Sequence, residues 1–170
     1  MPNFKIFVPF APAALAGAFD TVRGSKVYFT SLSDEDALVF ERSLPDCAGY
    51  SVVRSSALCN VAPSVIECAE KLGGIDKIFF APALTTRGSL FLDLDEESFV
   101  SHTEAFTALF MVCKCALPYM MGGREPEVLI ELPHETENII SGVYCAAVEK
   151  LAKDMNNELA EWGVNVKIIR

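Results

Sequence analysis

Residues 73–84, GGIDKIFFAPAL, decide the fold class of this chain. The consecutive glycines Gly73 and Gly74 can end a helix, because glycine readily adopts the left-handed conformation that helix C-termini favour. The run that follows, 76–84, is short and mostly apolar, which predicts a strand that is covered on both faces. A helix that turns at a glycine pair into such a strand is typical of a parallel α/β sheet.

The same alternation of short apolar runs and longer helical patterns continues along the chain in both directions. Strands are predicted at 4–10, 26–31, 50–56, 76–84, 126–133 and 163–170. The helices predicted between them are an Ala-rich one ending near Gly24, one that Ser33 caps with Asp36 three residues on, and others over 62–74, about 96–121 and about 141–162. Residues 1–170 are therefore predicted to form a single α/β domain, a Rossmann-like doubly wound parallel sheet of about six strands with helices on both faces.

The composition argues against two classes of binding partner, nucleic acids and membranes. Of the 170 residues 51% are hydrophobic and 22% are charged, and the net charge is −9. Binding to nucleic acid depends on Lys and Arg that neutralise phosphates, so we expect no nucleic-acid partner. No apolar run reaches the ~20 residues that a membrane-spanning helix needs, and the N-terminus lacks the basic region of a signal peptide. We expect a cytoplasmic protein with no membrane partner.

The six cysteines and two histidines do not form a metal-binding pattern. No C-x-x-C pair is present, and neither histidine completes a zinc-ligand spacing with the cysteines. Most of the cysteines lie in apolar segments, where a reduced thiol packs as a small hydrophobic side chain. The acidic run at 93–98 favours the start of a helix, because carboxylates suit the positive end of the helix dipole. We expect no metal site.

Three stretches resemble the short-chain dehydrogenase/reductase family. They are GGIDKIFFAPALTTRGSLFLDLDEESF (73–99), ALPYMMGGREPEVLIEL (116–132) and YCAAVEKLAKDMNNELAEWGVNVKIIR (144–170). The resemblance holds in sequence from Gly73 onward and before that only in the order of the elements. It implies the same Rossmann-like fold. Family members continue past the sixth strand with a segment that covers the substrate and a seventh strand, so the resemblance is to a C-terminally short member.

The resemblance implies a dinucleotide site after the first strand, where family members have a glycine-rich turn whose N–H groups face a pyrophosphate. Here the stretch reads VPFAPAALAGAF (8–19), and Gly17 is its only glycine. Family members have an acidic residue at the end of the second strand that binds the ribose, and Ser31 is the residue of this chain nearest to that position. Asn60 stands where family members often have an Asp that contacts adenine. The polar loop after the fourth strand is replaced by the apolar residues 80–83. We expect no cofactor in the usual mode, and NAD(P) held through Ser31 and Asn60 stays the alternative.

Tyr144 matches the tyrosine that family members use as general acid/base, but the other catalytic positions differ. Val148 stands in place of the lysine that lowers the pKa of that tyrosine, residues 132–133 (Leu-Pro) in place of the serine, and Ala105 in place of the asparagine. A tyrosine has an ordinary pKa near ~10, so without a nearby cation it is a poor base at neutral pH. Tyr144 stays a catalytic candidate, but it is the only one of the four catalytic residues that is retained. The pattern therefore predicts that reductase activity has been lost.

His134 is a second catalytic candidate. It lies in the stretch ELPHETEN (131–138), directly after the fifth predicted strand. Open α/β sheets place their sites at the carboxyl ends of strands. As a hypothesis, His134 acts as acid/base, and Glu131 or Glu135 orients its imidazole.

These departures favour a protein of the short-chain dehydrogenase/reductase type that has lost ordinary NAD(P)-dependent activity and serves as a binding or interaction module. Two enzymatic alternatives stay open. One is an NAD(P)-dependent oxidoreductase with an atypical site. The other is a lyase similar to halohydrin dehalogenases, which bind halide in place of the dinucleotide and carry an arginine where reductases have the lysine. The resemblance also implies a homodimer or larger oligomer through helices 97–121 and 141–162. Six side chains there are more apolar than solvent-facing positions require: Phe99, Phe106, Phe110, Val148, Leu151 and Met155.

Overall fold

Six strands and four α-helices make up the part of the chain that the computed structural model describes, residues 3–11, 24–44, 46–55, 58–82, 84, 91–133 and 138–170. The strands are β1 (Lys5–Val8), β2 (Lys26–Ser31), β3 (Cys47–Val52), β4 (Lys77–Phe80), β5 (Glu127–Glu131) and β6 (Asn165–Ile169). The helices are α1 (Asp34–Ser43), α2 (Leu58–Leu72), α3 (Glu96–Met120) and α4 (Ile139–Leu159), with 3-10 turns at Phe91–Asp93 and Ala160–Trp162.

The six described strands pair in parallel in one sheet, in the order β3-β2-β1-β4-β5-β6. The chain runs outward from β1 to β3 and then returns to place β4 on the other side of β1. The predicted doubly wound, Rossmann-like topology is therefore confirmed. In sheets of this kind, ligands bind outside the carboxyl ends of the strands where the strand order reverses, here between β1 and β4.

Both faces of the sheet are covered, and β1 shows how the sequence divides its side chains between them. Ile6 and Val8 pack on the face where α1 contributes Phe40. Phe7, between them in sequence, belongs to the larger core that α2, α3 and α4 cover. Successive strand residues point to opposite faces, so a stretch that is buried on both sides is apolar at each position. Ile6, Phe7 and Val8 form such a stretch.

The helix ends follow the capping residues that the sequence predicts. The Ser33 hydroxyl accepts a hydrogen bond from the Asp36 backbone N–H at 3.1 Å, so it caps α1 as expected. Gly73 and Gly74 follow α2 with φ of +69° and +114°, and the Gly74 N–H donates to the Ala69 carbonyl at 2.8 Å. Both predictions are confirmed.

Several boundaries differ from the prediction: β1 ends at Val8 rather than at residue 10, β4 ends at Phe80 rather than at residue 84, and β3 and α2 begin earlier than expected. β3 begins at Cys47 rather than at residue 50, because it includes Gly49, where the pairing with β2 shifts register at Tyr28. A Cβ at Gly49 would lie 3.3 Å from the Tyr28 ring, so the close packing of this ring favours glycine at that position. Glycine is not a residue from which a strand is predicted. α2 begins at Leu58 rather than at residue 62 and contains Pro63. The proline removes one backbone donor near the start of this helix, but the helix begins five residues before it.

The helix predicted between β1 and β2 lies mostly in residues 12–23, outside the described residues. Among the described helices, none combines the length and the hydrophobicity needed to cross a membrane.

Candidate functional site

The turn after β1 lies beside the reversal of strand order, and the backbone donors of Phe10 and Ala11, at its described start, are already used. The Phe10 N–H donates to the Thr30 hydroxyl at 2.8 Å, and the Ala11 N–H donates to the Thr30 carbonyl at 2.7 Å. An anion at this point would need N–H groups that face outward. Phe10 also has φ of +54°, in the left-handed region that favours glycine. The described start of this turn is therefore tied to β2, and residues 12–23, including Gly17, lie outside the described part.

The two candidate nucleotide contacts have different surroundings. Ser31, the last residue of β2, is fully buried, and its hydroxyl donates to the Ala11 carbonyl at 3.4 Å. Its side chain is thus directed into the protein rather than toward a ribose. Asn60 lies in the first turn of α2, and its side chain is exposed. Asn60 is therefore available to a ligand, whereas Ser31 is not.

The carboxyl end of β4 offers no polar side chain in its described residues. Phe80 is fully buried and Ala81 nearly so, and Pro82 follows without an N–H. Residue 83 and residues 85–90 lie outside the described part. In a dinucleotide site this loop would supply hydrogen bonds to the cofactor, so the described residues here do not fit the usual mode of binding.

Tyr144 is buried in α4, with 4% of its surface exposed. Its hydroxyl has no hydrogen-bond partner among the described residues. Burial, with a smaller effect of the neighbouring Cys145, raises the pKa of Tyr144 above its ordinary value. Val148, one turn further on, is fully buried, and Lys150 is exposed and pairs with Asp154. Tyr144 is therefore a neutral phenol at physiological pH, without a lysine to make it a base.

The serine and asparagine positions of the catalytic set are also filled by apolar side chains. Leu132 and Ala105 are both buried, and Pro133 follows Leu132 directly. Of the four catalytic positions, only Tyr144 carries a group that can exchange a proton. His134, the second catalytic candidate, lies outside the described residues, so its proposed role stays a hypothesis.

A histidine that sequence reasoning passed over lies against Tyr144. His102 of α3 is 3% exposed, and its ring meets the Tyr144 ring edge-on with centroids 5.5 Å apart. Its Nδ1 lies 2.7 Å from the Ser98 carbonyl oxygen of the same helix, whereas its Nε2 has no hydrogen-bond partner among the described residues. At the α3–α4 contact, two buried polar groups thus lie side by side with no hydrogen-bond partner among the residues that the structure describes.

An apolar groove with a volume of about 640 Å³ lies above this pair, between α3 and α4. Three of its wall residues are more than half exposed: Phe99 (61%), Ile139 (55%) and Val143 (64%). We refer to it as the α3–α4 groove. Its lining consists of Leu94, Asp95, Glu96, Phe99, His102, Thr103, Phe106, Ile139, Ile140, Val143, Tyr144 and Ala147.

The thiols and the described carboxylates form no metal-binding cluster. The six cysteines, all in the described residues, are free thiols, and burial raises the pKa of Cys113 to about 12. Such thiols are poor nucleophiles, because the thiolate is the reactive form. Within the described residues, no group of three or more His, Cys, Asp or Glu side chains could hold a metal ion.

The sequence matches no protein-family model and no curated protein sequence. Solved structures do match. An apo short-chain oxidoreductase from Pseudomonas aeruginosa PAO1, described as containing an atypical catalytic center, superposes with a TM-score of 0.80 at 18% identity, over 98% of this chain and 70% of that one. This chain has the fold of the short-chain dehydrogenases/reductases.

Further structures with this fold include forms that hold a cofactor. The NADPH-bound form of the Pseudomonas oxidoreductase matches with a TM-score of 0.78 at 17% identity, over 98% of this chain and 72% of that one. An NADH-dependent reductase complexed with NAD matches with a TM-score of 0.74 at 15% identity, over 98% of this chain and 77% of that one. At these identities the likeness concerns the fold, and the predicted resemblance is confirmed at that level.

Proposed function

We propose that this chain is a binding module built on the short-chain dehydrogenase/reductase fold and that it does not carry out ordinary hydride transfer. The observation that carries the proposal is the environment of Tyr144. Its hydroxyl is buried, its pKa is raised by burial, and the side chain one turn later is the buried Val148. A phenol in such surroundings holds its proton at neutral pH and cannot serve as the proton shuttle of a reductase.

The turn after β1 supports the same conclusion. In a dinucleotide site the phosphates approach backbone N–H groups at the end of β1, and here the Phe10 and Ala11 N–H groups donate to Thr30. Breaking both hydrogen bonds would add a cost to nucleotide binding of about 0.5–1.5 kcal/mol for each. The described residues therefore do not fit the cofactor in its usual position.

The second candidate function is that of an NAD(P)-dependent oxidoreductase with an atypical site. Two solved structures of the same fold favour it, one described as NADPH-bound with an atypical catalytic center and one as complexed with NAD. The exposed Asn60 would be the contact to test in that case. A lyase of the halohydrin-dehalogenase type has less support, because Val148 and residues 132–133 do not supply its arginine and serine.

The deciding experiment measures thermal unfolding with and without millimolar NAD⁺, NADH, NADP⁺ and NADPH, together with nicotinamide absorbance over a panel of aldehydes and ketones. A ligand that binds only the folded state raises the midpoint by mass action. We expect no shift and no turnover. A clear shift that Asn60→Ala abolishes would favour the second candidate, and turnover would overturn the proposal.

We propose that the module assembles as a homodimer through α3 and α4. Their outer surfaces keep apolar side chains partly exposed beyond the groove, namely Phe110, Leu151 and Met155. Large apolar side chains left exposed at neighbouring positions are typical of an interaction surface. A two-fold axis along these helices would cover them in both copies at once.

A further inference from the structure

β6 lies at one edge of the described sheet, where β5 is its only described neighbour. The Asn165 N–H donates to the carbonyl of Pro126, the residue just before β5, at 3.0 Å. The backbone groups of successive residues in a strand point to opposite edges. Those of Asn165 therefore face β5, whereas those of Val166 and Ile168 face outward, away from the rest of the sheet.

An outward row of backbone donors and acceptors can pair with a strand of another molecule. β6 reads NVKII, a short segment without proline in which three of the five residues are apolar and β-branched, a composition that favours strand pairing. Lys167 is its only charged residue, and the Lys167 ammonium is bound to Glu127 of β5. The charge is thus drawn toward the neighbouring strand and does not guard the outer edge.

One of the two outward donors is covered by a side chain of the same chain. The Val166 N–H donates to the side-chain Oδ1 of Asn156 at 2.9 Å. Asn156 lies near the end of α4, the helix that packs against β6. Its amide oxygen stands where the carbonyl of an added strand would accept. The Ile168 N–H, the next outward donor, has no acceptor among the described residues.

We propose that Asn156 closes the outer edge of β6 to strand addition, and that β6 of a second copy pairs there when Asn156 is lost. A second copy offers the same short apolar strand. A two-fold axis beside Ile168 sets the two strands antiparallel, so that each Ile168 N–H donates to the Ile168 carbonyl of the other copy. That pairing extends to Val166 only when Asn156 no longer accepts from its N–H. This contact lies at the sheet edge and is separate from the proposed dimer surface of α3 and α4.

The first test uses the natural chain and compares the two outward N–H groups by amide hydrogen exchange, followed by NMR and corrected for intrinsic rates. We expect the Val166 amide to exchange at least about tenfold more slowly than the Ile168 amide, since one hydrogen bond is worth roughly this factor. Equal protection of both amides would mean that a strand already covers the edge. Equally fast exchange of both would mean that Asn156 does not hold Val166. Either result would overturn the proposal without any variant having to fold.

Three variants at neighbouring positions then test the closing role. Asn156→Leu keeps the approximate shape of the side chain and removes the acceptor, so light scattering should give at least about twice the mass of the natural assembly. Asn156→Asp keeps an oxygen that accepts from Val166 and should keep the natural mass. Asn157→Leu introduces the same side chain at the next residue of α4, which is exposed, and should also keep the natural mass.

A second substitution separates edge pairing from aggregation of an unfolded chain. Ile168→Pro removes the other outward N–H and no hydrogen bond to β5, because proline is tolerated where a strand faces away from its neighbour. Added to Asn156→Leu, it should return the mass to that of the natural assembly, and circular dichroism should show both variants folded. The proposal is rejected if Asn156→Leu keeps the natural mass, if Asn157→Leu associates equally, or if Ile168→Pro does not reverse the association.

Discussion

The rings of His102 and Tyr144 meet edge-on between α3 and α4, with centroids 5.5 Å apart. At the described strand ends the chain uses its own polar groups, as where Thr30 accepts from both Phe10 and Ala11. A ligand needs groups that are still available. Among the described residues, the exposed Asn60 is available to a ligand, whereas the His102 Nε2 and the Tyr144 hydroxyl lack a hydrogen-bond partner but are enclosed by the protein.

Replacing Tyr144 with phenylalanine should raise the free energy of unfolding by about 1 kcal/mol, because it removes a buried hydroxyl that no described residue satisfies. Urea unfolding of the ligand-free protein measures the change. Tyr119→Phe, on the exposed end of α3, should stay within about 0.5 kcal/mol of the natural chain. A loss of stability in Tyr144→Phe would mean that the hydroxyl already has a stabilising partner.

Gly123 should not tolerate a side chain. A Cβ there would lie 2.9 Å from the Met120 carbonyl oxygen and 3.0 Å from that of Ile75, so backbone atoms would have to move. We expect Gly123→Ala to lower the free energy of unfolding by about 1–3 kcal/mol. Gly142 in α4 has open space at its Cβ, and Gly142→Ala should instead raise it by about 0.5–1 kcal/mol through helix propensity. A change of the same sign in both would contradict this account.

The elements whose bounds the sequence predicts correctly are those that a local signal determines. The apolar run of β2 and the Ser33 cap of α1 were predicted to the residue, because a few neighbouring side chains determine each of them. The start of β3 was missed, because Gly49 gives no strand signal and is explained only by the Tyr28 ring above it. The meeting of His102 with Tyr144 depends on which faces of α3 and α4 pack together, and no local pattern encodes that.

Glu127 forms the centre of a charge cluster on the sheet. Its carboxylate pairs with Lys77 at 2.7 Å and also with Lys167, and the side chains of Glu127 and Lys77 are mostly buried. Burial by itself would raise the pKa of Glu127, but the hydrogen bonds and charges of Lys167 and Lys77 outweigh it and hold the pKa below the ordinary 4.5. The folded protein therefore binds a proton at Glu127 less readily than the unfolded chain does.

A lowered carboxyl pKa contributes stability that is present above the unfolded pKa and is lost as the pH falls through the folded one. Glu127→Gln should therefore be less stable than the natural chain by about 1–3 kcal/mol above pH ~5, and the difference should shrink on acidification below that pH. Urea unfolding across the acidic range measures it. Glu149→Gln, which removes an exposed pair with Arg170, should show a smaller effect. A difference that does not vary with pH would exclude the electrostatic explanation.

The homodimer prediction is tested at Phe110, which is 45% exposed on α3. We expect light scattering at micromolar concentration to give twice the 18.5 kDa mass of one chain. Phe110→Glu should reduce the mass to that of one chain, because a dimer would have to bury the new carboxylate without a positively charged partner. Leu38→Glu is the matched control, since Leu38 is 43% exposed but lies on α1. A natural chain that is already monomeric, or a Phe110→Glu variant that stays dimeric, would show that the copies do not meet at this position.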